Sequence, residues 1–262
     1  MTGVYWPSFG KIKKRPPGLT ELWRSNAVPD AGAPGSVPVR VLRYGVDAPL
    51  PERHVLHAGQ LTAEPENGDL RYVRAGDVEV VRRLYMAVRD RNWDTIEGRF
   101  TSYTVDDGGD SFSVSFVAEH VTDDVDFVWS GTIEGTADGT IVYSMDGRPR
   151  RSFLRNRIGF CVLHPMDLAG TPVEVQTPQG IVTGALPERI SPHQPFVDMT
   201  SIAHAVGPDS TFTIRFEGDL FEMEDQRNWT DASYKTYSTP LRLPYPVQLQ
   251  AGDRVRQIVT LV

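Results

Sequence analysis

An antiparallel all-β sandwich is predicted by three observations. Short segments rich in Val, Ile, Thr, Tyr, Phe and Trp succeed one another from His57 to the C-terminus. Turn pairs such as Asn67-Gly68, Asp107-Gly108, Asp138-Gly139 and Asp146-Gly147 fall between several of them and supply the positive-φ positions that hairpins require. No stretch sustains the 3.6-residue apolar period of a long helix. Without crossover helices, so many strands bury their apolar faces only by packing sheet on sheet or by closing on themselves. The expectation is a large antiparallel β-sandwich over residues 56–262, preceded by an irregular Pro-rich arm over residues 1–55.

The arm is punctuated by Pro16-Pro17, Pro29, Ala31-Gly-Ala-Pro-Gly35, Pro38, Pro49 and Pro51. Its ordered pieces are expected to be a helical turn around Leu19 to Trp23 and an extended segment from Val37 to Leu42. Strands are then expected at Gln60–Glu64, Leu70–Arg74, Val78–Arg82, Tyr85–Arg89, Ser111–Ala118, Val125–Ile133, Gly139–Met145, Arg157–His164, Val173–Gln176, Thr211–Glu217 and Val255–Leu261. Ser111-Phe-Ser-Val-Ser-Phe116 alternates cleanly, the mark of a strand with one buried and one wet face. A sandwich of this kind places outward-alternating polar residues from several strands on one sheet face, where a site can form.

Charge and composition narrow the function. With 262 residues, 40% hydrophobic, the chain can bury a sizeable core. Its net charge of −7 argues against a nucleic-acid partner, since that affinity comes from clustered cations on phosphates. Only Lys11-Ile-Lys-Lys-Arg15 is locally basic, and it reads as a solvated segment. No apolar run approaches a membrane span and no apolar leader opens the chain, so a cytoplasmic location is expected. The single cysteine, Cys161, excludes an internal disulfide and sits between Phe160 and Val162 as a small core residue would. There is no nucleophile elbow, no phosphate-binding Gly-rich loop and no dinucleotide fingerprint, and no cofactor is expected.

Three segments carry the chemistry. Phe221 to Tyr237 gathers Glu222, Glu224, Asp225, Arg227, Asn228, Trp229, Lys235 and Tyr237, with scarcely an aliphatic residue among them. In a strand, Glu222 and Glu224 share one face and Phe221 and Met223 the other. Aromatic rings interleaved with charges of both signs suit a polyol, whose C–H faces need apolar cover and whose hydroxyls need fixed donors and acceptors. Arg155-Asn156-Arg157 leads into a strand that closes at His164, and Ser191-Pro-His-Gln-Pro-Phe196 holds His193 and Gln194 in a stiff loop.

A histidine near a carboxylate can move a proton near neutral pH, and Arg155 or Arg157 offers a planar donor fork to a developing oxyanion. His164, His193, Glu222 and Glu224 are also acceptable metal ligands, but no short fixed spacing supports a metal, and none is expected. Arg89-Asp-Arg-Asn-Trp93 repeats the theme, either as the rim of the same cleft or as a surface loop with Trp93 folded onto the core.

The runs Arg155 to Pro165, Ser191 to Phe196 and Phe221 to Tyr237 resemble the N-terminal domain of the D-apionate lactonase family, over roughly His57 to Val262. That resemblance implies hydrolysis of a branched-sugar lactone to its aldonate, and a family whose members continue into a barrel region. A second, weaker similarity is to the galactose-mutarotase-like supersandwich, which implies sugar binding on a concave sheet. On these implications Glu224 or His193 takes a proton from water and His164 or Arg157 stabilises the carbonyl oxygen. Arg155, Asn156, Gln194, Glu222, Asp225, Arg227, Asn228, Trp229, Lys235 and Tyr237 are expected to hold the substrate.

Two rivals stand beside this reading: an aldose-1-epimerase-type isomerase and a non-catalytic carbohydrate-binding domain. The expected partner is a small carbohydrate or sugar lactone, with a separate barrel domain or a homodimer as the compatible macromolecular partners.

Overall fold

The structure is a computed structural model that describes residues 37–45, 47, 53–228 and 233–262. The expected helical turn at Leu19 to Trp23 lies outside the described residues. The chain divides into two units, Met1–Glu52 and Arg53–Val262. In the first, Val39–Tyr44 forms a short helix (α1) where an extended segment was expected. Its Val-Arg-Val-Leu alternation reads as a strand, but none of its residues is buried and no strand among the described residues pairs with it. Pro38 enters with φ −53, and Gly45, left-handed at φ 78, closes the turn with its N–H on the Val41 carbonyl.

The second unit is two antiparallel sheets. In the first, the order is β1 (Leu56–Ala58), β2 (Leu61–Glu66), β3 (Asp69–Ala75), β4 (Val78–Asp90), β9 (Phe153–Pro165), β15 (Ser233–Tyr237) and β14 (Glu222–Asp225), with β16 (Val247–Leu249) also on β9. In the second, it is β11 (Gly180–Ala185), β10 (Pro172–Thr177), β12 (Ser201–Gly207), β13 (Ser210–Glu217), β17 (Val255–Leu261), β8 (Thr140–Pro149), β7 (Asp126–Thr136), β6 (Phe112–Val121) and β5 (Arg99–Asp107). The two strands expected at Val78–Arg82 and Tyr85–Arg89 are one continuous strand, β4. The unpredicted β5 and β11 are exposed along nearly their whole length, so they show no apolar alternation to read. Among the described residues no helix is long and apolar enough to cross a membrane.

The core lies between the sheets. From β4 and β9, Leu84, Val88, Ile158, Phe160 and Val162 point inward, where Phe160 meets Tyr143 of the second sheet edge to face at 4.6 Å between ring centroids. The odd-numbered neighbours on β9, Arg157, Gly159 and Cys161, therefore belong to the outer face. Ala87, Cys161 and Tyr237 form a separate small apolar cluster there.

One polar contact crosses the core to fix that face. The Phe160 N–H donates to Gln257 Oε1 of β17 at 2.9 Å, and Gln257 Nε2 donates to Ser238 Oγ at 2.9 Å. Gly159 leaves room for this inserted amide: a Cβ there would lie 2.1 Å from Ser238 Oγ and 2.6 Å from Gln257 Oε1. Gly159→Ala is expected to lower stability by about 3 kcal/mol, as overpacking does in a site that cannot shift. Urea denaturation checks it, and a variant as stable as the parent would show that the amide swings away freely.

Candidate functional site

The register of four strands assembles a pocket on the outer face of the first sheet. Tyr85, Cys161, Tyr237 and Glu222 lie in one cross-strand row, and Arg83, Leu163, Lys235 and Glu224 in the next. Ala87 opposite Gly159 and Arg89 opposite Arg157 continue the face toward the loops. Because Ala87, Gly159 and Cys161 are small, the sheet sinks between taller neighbours and leaves a pocket of about 360 Å³. Trp93 and Tyr245, edge to face at 5.1 Å, and Leu241 give it apolar walls, while Glu224, Gln226 and Lys235 bring polar groups.

Electrostatics separates the pocket's groups into those already engaged and those facing the cavity. Glu222 is buried, and its Oε1 accepts from the Tyr237 hydroxyl at 2.8 Å and the Leu241 N–H at 2.7 Å, so it fixes the wall. Burial, and then the bond to Glu222, pushes the Tyr237 phenol well above its ordinary pKa, keeping it a proton donor. Gln194 lies beside that hydroxyl.

Glu224 is half-buried, and among the described residues its one hydrogen bond is from Gln226 Nε2 at 3.1 Å. Lys235, 9% exposed, has no hydrogen bond or ion pair among the described residues; its Nζ stands 5.8 Å from the Tyr237 ring centroid. The Lys235 side chain lines the cavity, where water or a ligand supplies the ammonium's acceptor.

Arg157 is placed in the pocket wall, but its donors are directed elsewhere. Nε donates to the Thr239 carbonyl at 2.7 Å, Nη1 to Asn156 at 2.7 Å, and Nη2 to Pro240 at 2.8 Å and Leu243 at 3.3 Å. The guanidinium also lies 5.0 Å from the Tyr245 ring centroid and 5.7 Å from that of Trp93. It holds the loop after β15 in place as the pocket's wall.

Asp225 and Arg227 form a second brace. The fork donates to both Asp225 oxygens at 2.9 and 2.8 Å, and Asp225 Oδ2 also accepts from the Ser191 N–H at 2.9 Å. Burial alone would raise the Asp225 pKa, but the Arg227 donors and these N–H groups outweigh it and hold the carboxyl below its ordinary value. Arg227 further donates to the Glu188 carbonyl and covers the Tyr234 ring at 4.4 Å, pinning the segment before Ser191 to the edge of the sheet.

The remaining expected residues lie apart from the cavity. His164 has the parity of Phe160 and Val162, so it faces the core: Nε2 is 2.8 Å from Thr236 Oγ1, and burial lowers its pKa to about 3. His193 is exposed and does not line the pocket. Asn156 donates to the Arg91 carbonyl at 3.1 Å. Arg155 lines a different surface cleft with Asp219, and its buried Nε has no hydrogen-bond partner among the described residues. Asn228 is exposed, and Trp229 lies outside the described residues.

The structure thus brings Glu224, Lys235, Tyr237 and Arg157 to one cavity and does not bring either histidine there. Sequence reasoning missed Tyr245, Leu241 and Ser238, which reach the pocket only through the loop that Arg157 holds. Arg89 and Trp93, which the Arg-Asp-Arg-Asn-Trp cluster had marked as a possible rim, do line it. Among the described residues no group of three His, Cys, Asp or Glu side chains is arranged to hold a metal ion.

Comparison with known proteins completes the picture. Residues 41–262 match the family of the D-apionate lactonase N-terminal domain. The D-apionate lactonase of Brucella anthropi is 38% identical over 223 residues, covering 84% of this chain and 37% of the relative, so this chain spans well under half of that protein's length. Among solved structures, an α-galactosidase of Geobacillus stearothermophilus superposes with a TM-score of 0.51 at 12% identity, over 80% of this chain and 40% of that one.

A candidate aldose 1-epimerase of Escherichia coli K12 does so with a TM-score of 0.51 at 10% identity, over 80% of this chain and 98% of that one. At such identities the likeness is one of fold, and the fold is the galactose-mutarotase-like sandwich. By sequence over most of its length, the chain belongs to the D-apionate lactonase family, in the part that forms that family's N-terminal domain.

Proposed function

We propose that the pocket on the outer face of the first sheet binds a sugar-acid lactone and opens it to the aldonate. The observation that carries this reading is the juxtaposition of Glu224 and Lys235, directly opposed on β14 and β15 and both lining an aromatic-walled cavity. Glu224 takes a proton from water as its oxygen adds to the lactone carbonyl carbon. The carbonyl oxygen gains charge beside the Lys235 ammonium. The ring C–O bond then breaks, the Glu224 carboxyl returns its proton to the departing ring oxygen, and the hydroxyl and carboxylic acid so formed leave one proton to go to solvent as the acid ionises to the aldonate. Trp93 and Tyr245 cover the sugar's C–H face, and Gln226 reads a hydroxyl.

The roles first assigned to Arg157, His164 and His193 pass to other groups: Arg157 already donates to four carbonyls, His164 faces the core, and His193 stands outside the pocket. An isomerase relying on a histidine is disfavoured on the same ground. That the chain spans 37% of its lactonase relative supports a second reading, a carbohydrate-binding domain that acts with a further domain.

Acid release on adding five- and six-carbon aldonolactones, one of them branched, to the 262-residue chain tests the proposal. The expected result is release above the spontaneous rate, lowered about 100-fold or more in Glu224→Gln, the scale of a lost general base. Full turnover by Glu224→Gln would overturn the mechanism. Binding of the lactone without acid release, weakened in Lys235→Met, would assign the pocket to the binding role.

A further inference from the structure

A second cleft opens beside the first, lined by residues of both sheets, with Ala87 in the lining of both clefts. Its volume is about 520 Å³, and its charged groups are Glu66, Asp69, Arg71, Arg83 and Glu97. Arg71 and Arg83 are directly opposed on β3 and β4. Like charges in that relation repel, and a sheet keeps them only where anions lie alongside.

The anions that the fold supplies leave donors over. Arg83 Nε donates to Asp69 Oδ2 at 2.7 Å, and its two terminal nitrogens have no acceptor among the described residues. Arg71 Nε is buried and makes no hydrogen bond among the described residues, although Glu66 Oε2 stands 3.2 Å away; one terminal nitrogen reaches the Tyr72 hydroxyl at 3.3 Å. A guanidinium is a planar fork whose adjacent N–H groups match the two oxygens of a carboxylate.

The cleft's other groups belong to a polyol. Burial pushes the Asp69 carboxyl up to about 6 despite Arg83 beside it, and with Glu66 it offers acceptors to hydroxyls. The Tyr85 ring, stacked under the Arg83 guanidinium at 4.2 Å, and the Phe100 ring give apolar faces for C–H surface.

We infer that this cleft is a second binding site, distinct from the Glu224–Lys235 pocket, for a hydroxylated carboxylate held by Arg71 and Arg83. The ligand class is that of an open-chain sugar acid. The inference does not depend on lactone opening in the first pocket, because it rests on different residues.

Gluconate titrated calorimetrically into the 262-residue chain, with acetate and glucose as controls, tests it. Gluconate is expected to bind wild type and Lys235→Met alike at this site. Arg71→Gln and Arg83→Gln are each expected to weaken it about tenfold or more, the scale of a lost charged hydrogen bond, and acetate and glucose are expected to bind far more weakly. Arg71 is the safer variant for folding, since Arg83 also pairs with the half-buried Asp69. No gluconate binding by wild type, unchanged binding by Arg71→Gln, or binding lost in Lys235→Met alone would overturn the inference, as would acetate binding as tightly as gluconate.

Discussion

Arg157→Ala is expected to destabilise the domain by about 3–5 kcal/mol, the range for breaking a buried charged network, and to abolish ligand binding in the Glu224–Lys235 pocket. Arg157 is 5% exposed and donates to the carbonyls of Asn156, Thr239, Pro240 and Leu243. Truncation leaves the buried Asn156 and Pro240 carbonyls, and the half-buried Thr239 and Leu243 carbonyls, without these donors; a buried acceptor so orphaned costs about 1–3 kcal/mol. It also removes the cation that Trp93 and Tyr245 flank, so the wall loses its support from both sides. Arg157→Lys is expected to recover only part of the loss, because one ammonium cannot reach carbonyls spread across a loop in the way a fork does. Urea denaturation midpoints and titration with a sugar lactone are the measurements. If Arg157→Ala unfolds within about 0.5 kcal/mol of wild type, an ordinary surface change, the brace is not what holds the loop, and a direct role toward ligand returns.

How much of this was legible depended on whether a strand alternates polar and apolar residues along its sequence. β14 does, and the alternation of Glu222 and Glu224 with Phe221 and Met223 puts the two carboxylates on a common face, with Tyr237 and Lys235 opposite them once β15 is paired. β9 does not: from Asn156 to Pro165 every residue is buried. A run without alternation hides parity, so His164 could not be assigned to the core side nor Arg157 and Cys161 to the outer side from the sequence. The acceptors of Arg157 lie up to 86 positions away, a relation that no local pattern encodes. Asp225 and Arg227 read as substrate contacts because a charged pair two residues apart resembles a polar site; only the tertiary fold supplies the Ser191 and Glu188 groups that turn them into a brace. The α1 segment misled for the opposite reason, since its alternation pairs with no strand among the described residues.

His164 makes the domain's stability fall on mild acidification, and His164→Gln is expected to remove that part of the fall. In the unfolded chain the imidazole titrates near its ordinary 6.5, whereas burial lowers it to about 3 in the fold. A base with a depressed folded pKa contributes fully above its unfolded value. Its contribution is lost as pH drops from about 6.5 toward 3, because the unfolded chain takes up the proton first. By pH 5 the loss is about 2 kcal/mol, from 1.36 kcal/mol per unit. His204, also lowered by burial, acts in the same sense. Asp69 acts oppositely: with its carboxyl raised to about 6 by burial, the cost of holding it ionised is relieved as pH falls from 6 to 4. The net slope of wild type therefore mixes opposed groups, and the difference between wild type and His164→Gln isolates one of them. Gln keeps a polar group within reach of Thr236 Oγ1 and carries no titration. Denaturation at pH 7 and pH 5 should show wild type losing about 2 kcal/mol more than the variant over that interval. Equal losses would mean that His164 is protonated in the fold, which would require an acceptor beyond Thr236 on the inner face of β9.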